Sequence, residues 1–327
     1  MTRSPSSRRA LAIACFLLLA LGAAGFAQAQ EWLPTKTVRI VVPIVGSTND
    51  VLARLVAPEL QKALGQTFVV ENKGGAGGTI GANEVAKSPA DGHTLLVGFN
   101  GPLAINATLY PNLPYDPVKD FAPITLMVSA PQYLAVHPSV PANNVAELIA
   151  LSKTRPLSYA SVSVGSASHL TMEMLKTAAK ADITHVPYRG AGPAVADLVG
   201  GQVQAAFMVP GNVQQFAKEG KLRLIASSGA KRFASTPNLP TMIEQGYTGF
   251  VAVSWIGLVA PGGTPQPVID RYHKEITRIL ALPDVKAKLE AMEFDIVAST
   301  PRQFSEWIQA EIPRWGKVIR DTGTKAE

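Results

Sequence analysis

Val38-Arg39-Ile40-Val41-Val42-Pro43-Ile44-Val45-Gly46-Ser47-Thr48-Asn49-Asp50-Val51-Leu52-Ala53-Arg54 runs from a β-branched stretch through a small-residue loop into the start of a helix. Val38–Val45 reads as a strand, and from Asp50 to Leu64 apolar residues recur at helical spacing, with Leu52, Leu55, Val56, Leu60 and Leu64 on one face. Thr67–Val70, a glycine-rich loop, a short helix near Ile80–Lys87 and a strand over Thr94–Phe99 continue the pattern. Strand, helix, strand, helix, strand implies a parallel sheet with helices on its faces.

A second series starts near Gln132–Val136. It runs through Leu157–Val162, a helix over Ala167–Ala179, Ile183–Val186, a helix over Pro193–Val199, Val203–Met208 and Leu222–Ser227. Gly200-Gly201 fits a helix C-terminus, and Pro193 fits a first helical position. Val251–Val259 reads as another strand, followed by two helices. The last helix carries Phe304, Trp307, Ile308, Ile312 and Trp315 on one stripe, which reads as core, and Pro313 predicts a kink in it.

The expected fold is therefore α/β in two lobes. Ile124–Val136 and Val251–Val259 are the candidates for strands that cross between them. The expected division is residues 30–130 plus 256–327 for lobe 1 and 131–255 for lobe 2.

Composition narrows the function classes. The chain has 327 residues, 47% hydrophobic and 17% charged, which is enough apolar material for a large core. Arg3, Arg8 and Arg9 precede the apolar run Ala10–Phe26, which Ala27-Gln28-Ala29 follows. This order of basic, apolar and small residues predicts an export signal cleaved after Ala29, so that residues 1–29 are removed. The remaining residues hold 27 Lys and Arg against 24 Asp and Glu, a net +3 instead of the +6 of the whole chain. So mild an excess, without a long basic run, argues against nucleic acid and against a polybasic membrane anchor. The single Cys15 lies within the signal, so the exported chain is expected to have no disulfide and no thiol chemistry.

Several motifs resemble chemistry. Gly75-Ala76-Gly77-Gly78-Thr79-Ile80-Gly81 imitates a dinucleotide fingerprint, but Ile80 stands where its third glycine belongs and no ribose-binding acid follows Phe99-Asn100. It reads as a tight loop needing positive φ, and no cofactor is expected. Gly165-Ser166-Ala167-Ser168-His169 raises an exported hydrolase, yet it lacks the end of the GxSxG elbow, and a helix cap at Ser166 accounts for it better. His93, His137, His185 and His273 are not spaced as metal ligands, so no metal is expected.

What recurs is a strand ending in a small-residue loop that opens a helix. This occurs at 43–50, at 161–169 and at Tyr188-Arg189-Gly190-Ala191-Gly192-Pro193. Helix N-termini offer unpaired N–H groups and partial positive charge, and in a parallel sheet such loops gather at the carboxyl ends of strands. Ser47 and Asp50 alternatively read as a capping box. One such loop per lobe points to a cleft for a carboxylated solute.

With these residues in view, the chain resembles the substrate-binding proteins of tripartite tricarboxylate transporters, the Bug family. The likeness runs through Val38–Arg54, Val70-Glu71-Asn72-Lys73-Gly74-Gly75-Ala76-Gly77-Gly78, Ala90-Asp91-Gly92-His93-Thr94 and Tyr115-Asp116-Pro117. It continues at Tyr159-Ala160-Ser161, Gly165-Ser166, His185-Val186-Pro187-Tyr188-Arg189-Gly190, Gly200-Gly201-Gln202-Val203 and Gly257-Leu258-Val259-Ala260-Pro261. It covers nearly all of the expected mature chain, in order.

The resemblance implies a periplasmic binding protein of the type II, Venus flytrap kind with two crossing strands. Such a protein captures a small carboxylated metabolite between its lobes and delivers it, as a monomer, to membrane permease subunits. A ligand sensor that signals to a sensor kinase is the alternative. The family holds its ligand mainly through backbone amides and waters, which map onto Gly46, Ser47, Thr48 and Asp50 in lobe 1 and onto Ser161, Gly165, Ser166 and His169 in lobe 2. Asn100 and Arg189 complete the candidate ligand-binding set. Two departures stand out. Ile44-Val45-Gly46-Ser47 replaces the usual Phe-x-Pro-Gly-Gly after Pro43, and Met208 follows Phe207 where many members place Asp. The second removes a polar contact and points to a more apolar or differently shaped acid.

Overall fold

The β-branched run Val38–Val42 forms β1, and Phe68–Asn72 (β2) and Thr94–Phe99 (β3) lie parallel to it on either side. Ile40 stands opposite Val70 on β2 and Leu95 on β3. The computed structural model describes residues 31–44, 46–233 and 236–326, with Leu33–Glu327 forming one unit. The expected export signal with Cys15, and Val45 of the first loop, lie outside the described residues.

Six strands make the first sheet, in the order β11-β4-β10-β3-β1-β2, where β4 is Phe121–Pro131, β10 Val253–Pro261 and β11 Asp295–Ile296. β10 runs antiparallel to both β3 and β4. The second sheet has the order β7-β6-β8-β5-β9, built from Tyr133–Val136 (β5), Ser158–Ser161 (β6), Thr184–Pro187 (β7), Ala205–Met208 (β8) and Arg223–Ser227 (β9). The chain passes from the first sheet to the second at Gln132, between β4 and β5, and returns to the first between β9 and β10.

The helices are α1 (Thr48–Leu64), α2 (Thr79–Ala86), α3 (Asn106–Leu109, after a wide helical turn over Gly101–Ile105), α4 (Val145–Ser152), α5 (Ala167–Ala179) and α6 (Ala191–Val199). α7 (Pro210–Lys218), α8 (Gln266–Leu280), α9 (Pro283–Ala291) and α10 (Pro301–Thr322) follow. Ser166 caps α5, its side chain accepting from the His169 N–H. Thr300 and Gln303 form a full capping box on α10, which continues through Pro313 as one helix.

Three expectations need correction. Ser47 is the N-cap of α1, but its hydroxyl donates to the Ile44 carbonyl at 3.3 Å and makes no cap bond. Asp50 is drawn away by Arg54 and Asn72, so the expected capping box does not form. α6 begins at Ala191, two residues before Pro193, although its end is as expected, with Gly200 the C-cap and Gly201 in the left-handed turn at φ +73°. Three helices rather than two follow β10.

The aromatic stripe of α10 is core. Phe304 and Trp315 are fully buried, and Phe304 meets Trp255 edge-on with ring centroids 5.7 Å apart. Glu311, also buried, accepts both indole N–H groups, from Trp255 at 3.0 Å and from Trp315 at 2.7 Å. Leu170 of α5 belongs to this same cluster, so the helix from the second sheet leans on α10 of the first. That contact fixes where the N-terminus of α5 points.

Candidate functional site

Between the two sheets lies a cavity of about 60 Å³. Its polar wall comes from the first turns of two long helices, Ser47, Thr48 and Asn49 from α1 and Ser166, Ala167 and Ser168 from α5. The start of α7 adds Val209 and Asn212. The remaining wall is mostly apolar and includes Ile44, Phe99, Met208, Trp255 and Phe294, joined by Asn100, Gln132 and Ser254 from the crossing region. None of the lining residues is charged.

The geometry suits an anion. The first N–H groups of an α-helix have no carbonyl partner within it, and the aligned peptide dipoles place roughly half a positive charge there. α1 and α5 bring two such ends to one small space, without a counter-ion to desolvate. The hydroxyls are partly committed. Ser166 Oγ donates to the Ser163 carbonyl at 2.7 Å and accepts from the His169 N–H, so its proton is spent locally. Ser168 Oγ accepts from the Val162 N–H at 3.1 Å, which leaves its proton to serve either Ser166 Oγ, 3.0 Å away, or an occupant.

Of the ten sequence candidates, Ser47, Thr48, Asn100 and Ser166 line the cavity and six stand off it. Gly46 is exposed at φ +60°. Asp50 is paired with Arg54 at 3.0 Å and accepts from Asn72 at 2.8 Å. Burial pushes its carboxyl up, but the bonds from Arg54 and Asn72 outweigh that and hold it below the usual carboxylate range. Ser161, Gly165 and His169 are buried around the start of α5 without lining the cavity, and Arg189 is exposed on the loop before α6. Asn100 reaches the cavity with its amide already engaged, donating to the Val253 carbonyl and accepting from the Trp255 N–H.

The first turn of α5 contributes to a stack of rings. His169 and His185 lie face to face with centroids 4.0 Å apart, and Tyr159 covers His185 at 4.8 Å. His169 Nδ1 accepts from the Gly165 N–H, and His185 Nε2 is 2.7 Å from Ser161 Oγ. Burial, reinforced by Lys176 and, for His169, by His185, pushes His169 down to about 3; burial takes His185 down to about 4, against the opposing pull of Glu173. Both imidazoles are therefore neutral supports of the loop. The Ser161–His185 pair has the spacing of a nucleophile and base, but Ser161 is fully buried and does not line the cavity.

The loops of the two sheets also touch. A Cβ on Gly77, at φ +60° in the loop before α2, would lie 3.1 Å from the Val164 carbonyl oxygen. The glycine-rich loop thus takes the positive φ expected of it, and it does so where the second sheet's ligand loop approaches.

Residues 52–324 match the family described as Tripartite tricarboxylate transporter family receptor. The chain belongs to that family. The receptor is 36% identical over 321 residues to Protein BugT of Bordetella pertussis, covering 97% of this chain and 98% of that one. Among solved structures it is similar to R. palustris Rpa4515 with adipate, at TM-score 0.85 and 36% identity over 89% of this chain and 99% of that one. It is likewise similar to MatC from Rhodopseudomonas palustris with bound malate, at TM-score 0.83 and 35% identity over 88% and 100%. The receptor fold is the two-lobe type II binding-protein fold that the sequence led us to expect.

Asn49, Gln132, Ser168, Asn212, Ser254, Trp255 and Phe294 line the cavity but were not among the sequence candidates. For Gln132 and Ser254 there was a signal: each is a polar residue in or beside an apolar crossing run. Among the described residues no three His, Cys, Asp or Glu side chains converge, and no helix is long and apolar enough to cross a membrane.

Proposed function

We propose that this receptor captures a small carboxylated metabolite between its two lobes in the periplasm and hands it to the subunits of a membrane permease. One observation carries this reading: two long helices, one from each sheet, aim their N-termini into a single cavity whose lining has no charged side chain. The carboxylate binds across Ser47–Asn49 and Ala167–Ser168, with the Ser168 hydroxyl as an additional donor. The adipate and malate bound by two relatives support the ligand class. Residues 1–29 act as the export signal, and residues 30–130 with 256–327 form the lobe that closes on residues 131–255. The protein works by binding, not catalysis, since the buried Ser161–His185 pair lies behind the ligand's wall.

A thermal-unfolding screen over mono-, di- and tricarboxylates tests the reading. A ligand at 100 times its dissociation constant is expected to stabilise the fold by about 2.7 kcal/mol. If every carboxylate leaves the unfolding transition unmoved, the reading fails.

A further inference from the structure

We infer that Ser228 is the pivot on which the two lobes close: a positioning residue whose hydroxyl pins both crossing segments and so sets how readily the cavity wraps an acid. This deepens the capture reading and rests on the lobe closure within it. The chain leaves the first sheet at Gln132 and re-enters it after Ala252, the residue before β10. On one side of these positions Pro131 of β4 stands opposite Val253 of β10, and on the other Tyr133 of β5 stands opposite Ser227 of β9. Ser228, directly after β9, fills the gap between the two pairs.

Four hydrogen bonds converge on it. Its N–H donates to the Gln132 carbonyl and its Oγ accepts from the Gln132 N–H, both at 2.8 Å. The same Oγ donates to the Ala252 carbonyl, and the Ser228 carbonyl accepts from the Ala252 N–H at 2.9 Å. All four partners are backbone groups, so the sense of each bond is fixed. Ser228 and Ala252 have no exposed surface and Gln132 keeps 2%. Only a hydroxyl can accept from one crossing while donating to the other, and breaking such bonds in a dry place is costly.

This junction borders the ligand's space. Gln132 lines the cavity, and so do Ser254 and Trp255, two and three residues beyond Ala252. Asn100, another lining residue, donates to the Val253 carbonyl and accepts from the Trp255 N–H. The second crossing is thus held by Asn100 from the first sheet and by Ser228 from the second. A hinge concentrates its change in a few residues at the ends of elements while the packed bodies stay rigid. A point where both crossings are tied to one residue stays put as the helix N-termini of α1 and α5 approach each other.

Two measurements test this. Spin labels at Lys62→Cys on α1 and Lys153→Cys after α4, both exposed and one on each lobe, report the distance between lobes. Ser228→Ala is expected to broaden the ligand-free distance distribution and to lower affinity for whichever of adipate, malate and lactate binds by about tenfold, because fewer molecules stand ready to close. At saturation the distance should equal that of the parent, which general damage to the fold would not restore. A distribution and an affinity equal to the parent's overturn the pivot. In the ligand-free parent, the amides of Gln132, Ser228 and Ala252 are expected to exchange hydrogen as slowly as those of the core strands β3 and β8. Exchange at least about tenfold faster means that the bonds open with the lobes and also overturns the pivot, and this measurement decides if Ser228→Ala does not fold. Binding of none of the three acids counts against the capture reading, while the ligand-free distances still judge the pivot.

Discussion

Tyr133 Oη donates a 2.7 Å hydrogen bond to Oε2 of Glu293, joining the first residue of β5 in the second sheet to the turn that precedes β11 in the first. Glu293 is buried, and its other carboxylate oxygen accepts from Gln214 of α7. Its backbone is left-handed, at φ +56°, a conformation that a non-glycine residue holds only when its surroundings fix it. Phe294, the next residue, and Asn212, two residues before Gln214, both line the cavity. The carboxylate is therefore a strut between the sheets placed directly behind the ligand's walls.

Glu293→Ala should remove the acceptor from two donors at once, the buried Tyr133 hydroxyl and the half-buried Gln214 amide. A loss of about 1–3 kcal/mol is expected, measured by urea unfolding, with weaker ligand binding because Phe294 and Asn212 lose their support. An unchanged midpoint and unchanged affinity would show that the strut carries no load.

The two serines at the start of α5 should separate. Ser166→Ala loses the cap and should cost about 1 kcal/mol of stability, with little direct effect on affinity because its proton is held by the Ser163 carbonyl. Ser168→Ala takes the acceptor from the Val162 N–H and should also cost about 1 kcal/mol of stability, but unlike Ser166→Ala it should lower ligand affinity about tenfold, the worth of one hydrogen bond to a charged group. Paired unfolding and titration curves check this, and the reverse pattern would exchange the two roles.

Thr94–Phe99 and Ala167–Ala179 have in the structure the bounds read from the sequence, since a β-branched and apolar run and a serine cap are local signals. α7 was missed because Pro210-Gly211 reads as a turn, although proline is well tolerated at a first helical position. In the site, the helix-start side of the cavity was legible from Ser47, Thr48 and Ser166. Asp50 misled, because Arg54 four residues on and Asn72 on β2 together draw its carboxylate aside. The opposite wall of Phe99, Trp255 and Phe294 exists only once the crossing strands bring distant segments together, and no local pattern marks Glu293.

Gly77→Ala places a methyl 3.1 Å from the Val164 carbonyl oxygen and strains a positive φ. It should cost roughly 1 kcal/mol in stability and lower ligand affinity further, because it holds the two loops apart where the cavity closes. Titration of the folded variant checks this, and an affinity equal to that of the parent would count against loop approach as part of binding.

Acid should loosen the second lobe. His169 and His185 have folded-state values depressed from 6.5 to about 3 and about 4, so below pH 6.5 the unfolded chain takes up protons that the folded chain refuses. Their contribution is complete above pH 6.5 and is lost as pH falls toward 4. His169 alone should cost up to about 1.4 kcal/mol per pH unit in that window, with a smaller, solvent-screened share from His185. Urea midpoints between pH 7 and 4 should fall steeply for the parent and less for His169→Phe, whereas parallel slopes would remove the stack from the account.

The most direct measurement is a crystal structure with whichever acid moves the unfolding transition furthest. The account predicts a carboxylate within hydrogen-bond distance of the first-turn N–H groups of both α1, at Thr48–Asn49, and α5, at Ala167–Ser168, enclosed between the two sheets. A carboxylate bound to one sheet only, or seated elsewhere, as in the groove beside Leu280, Lys286 and Ile296, would contradict it.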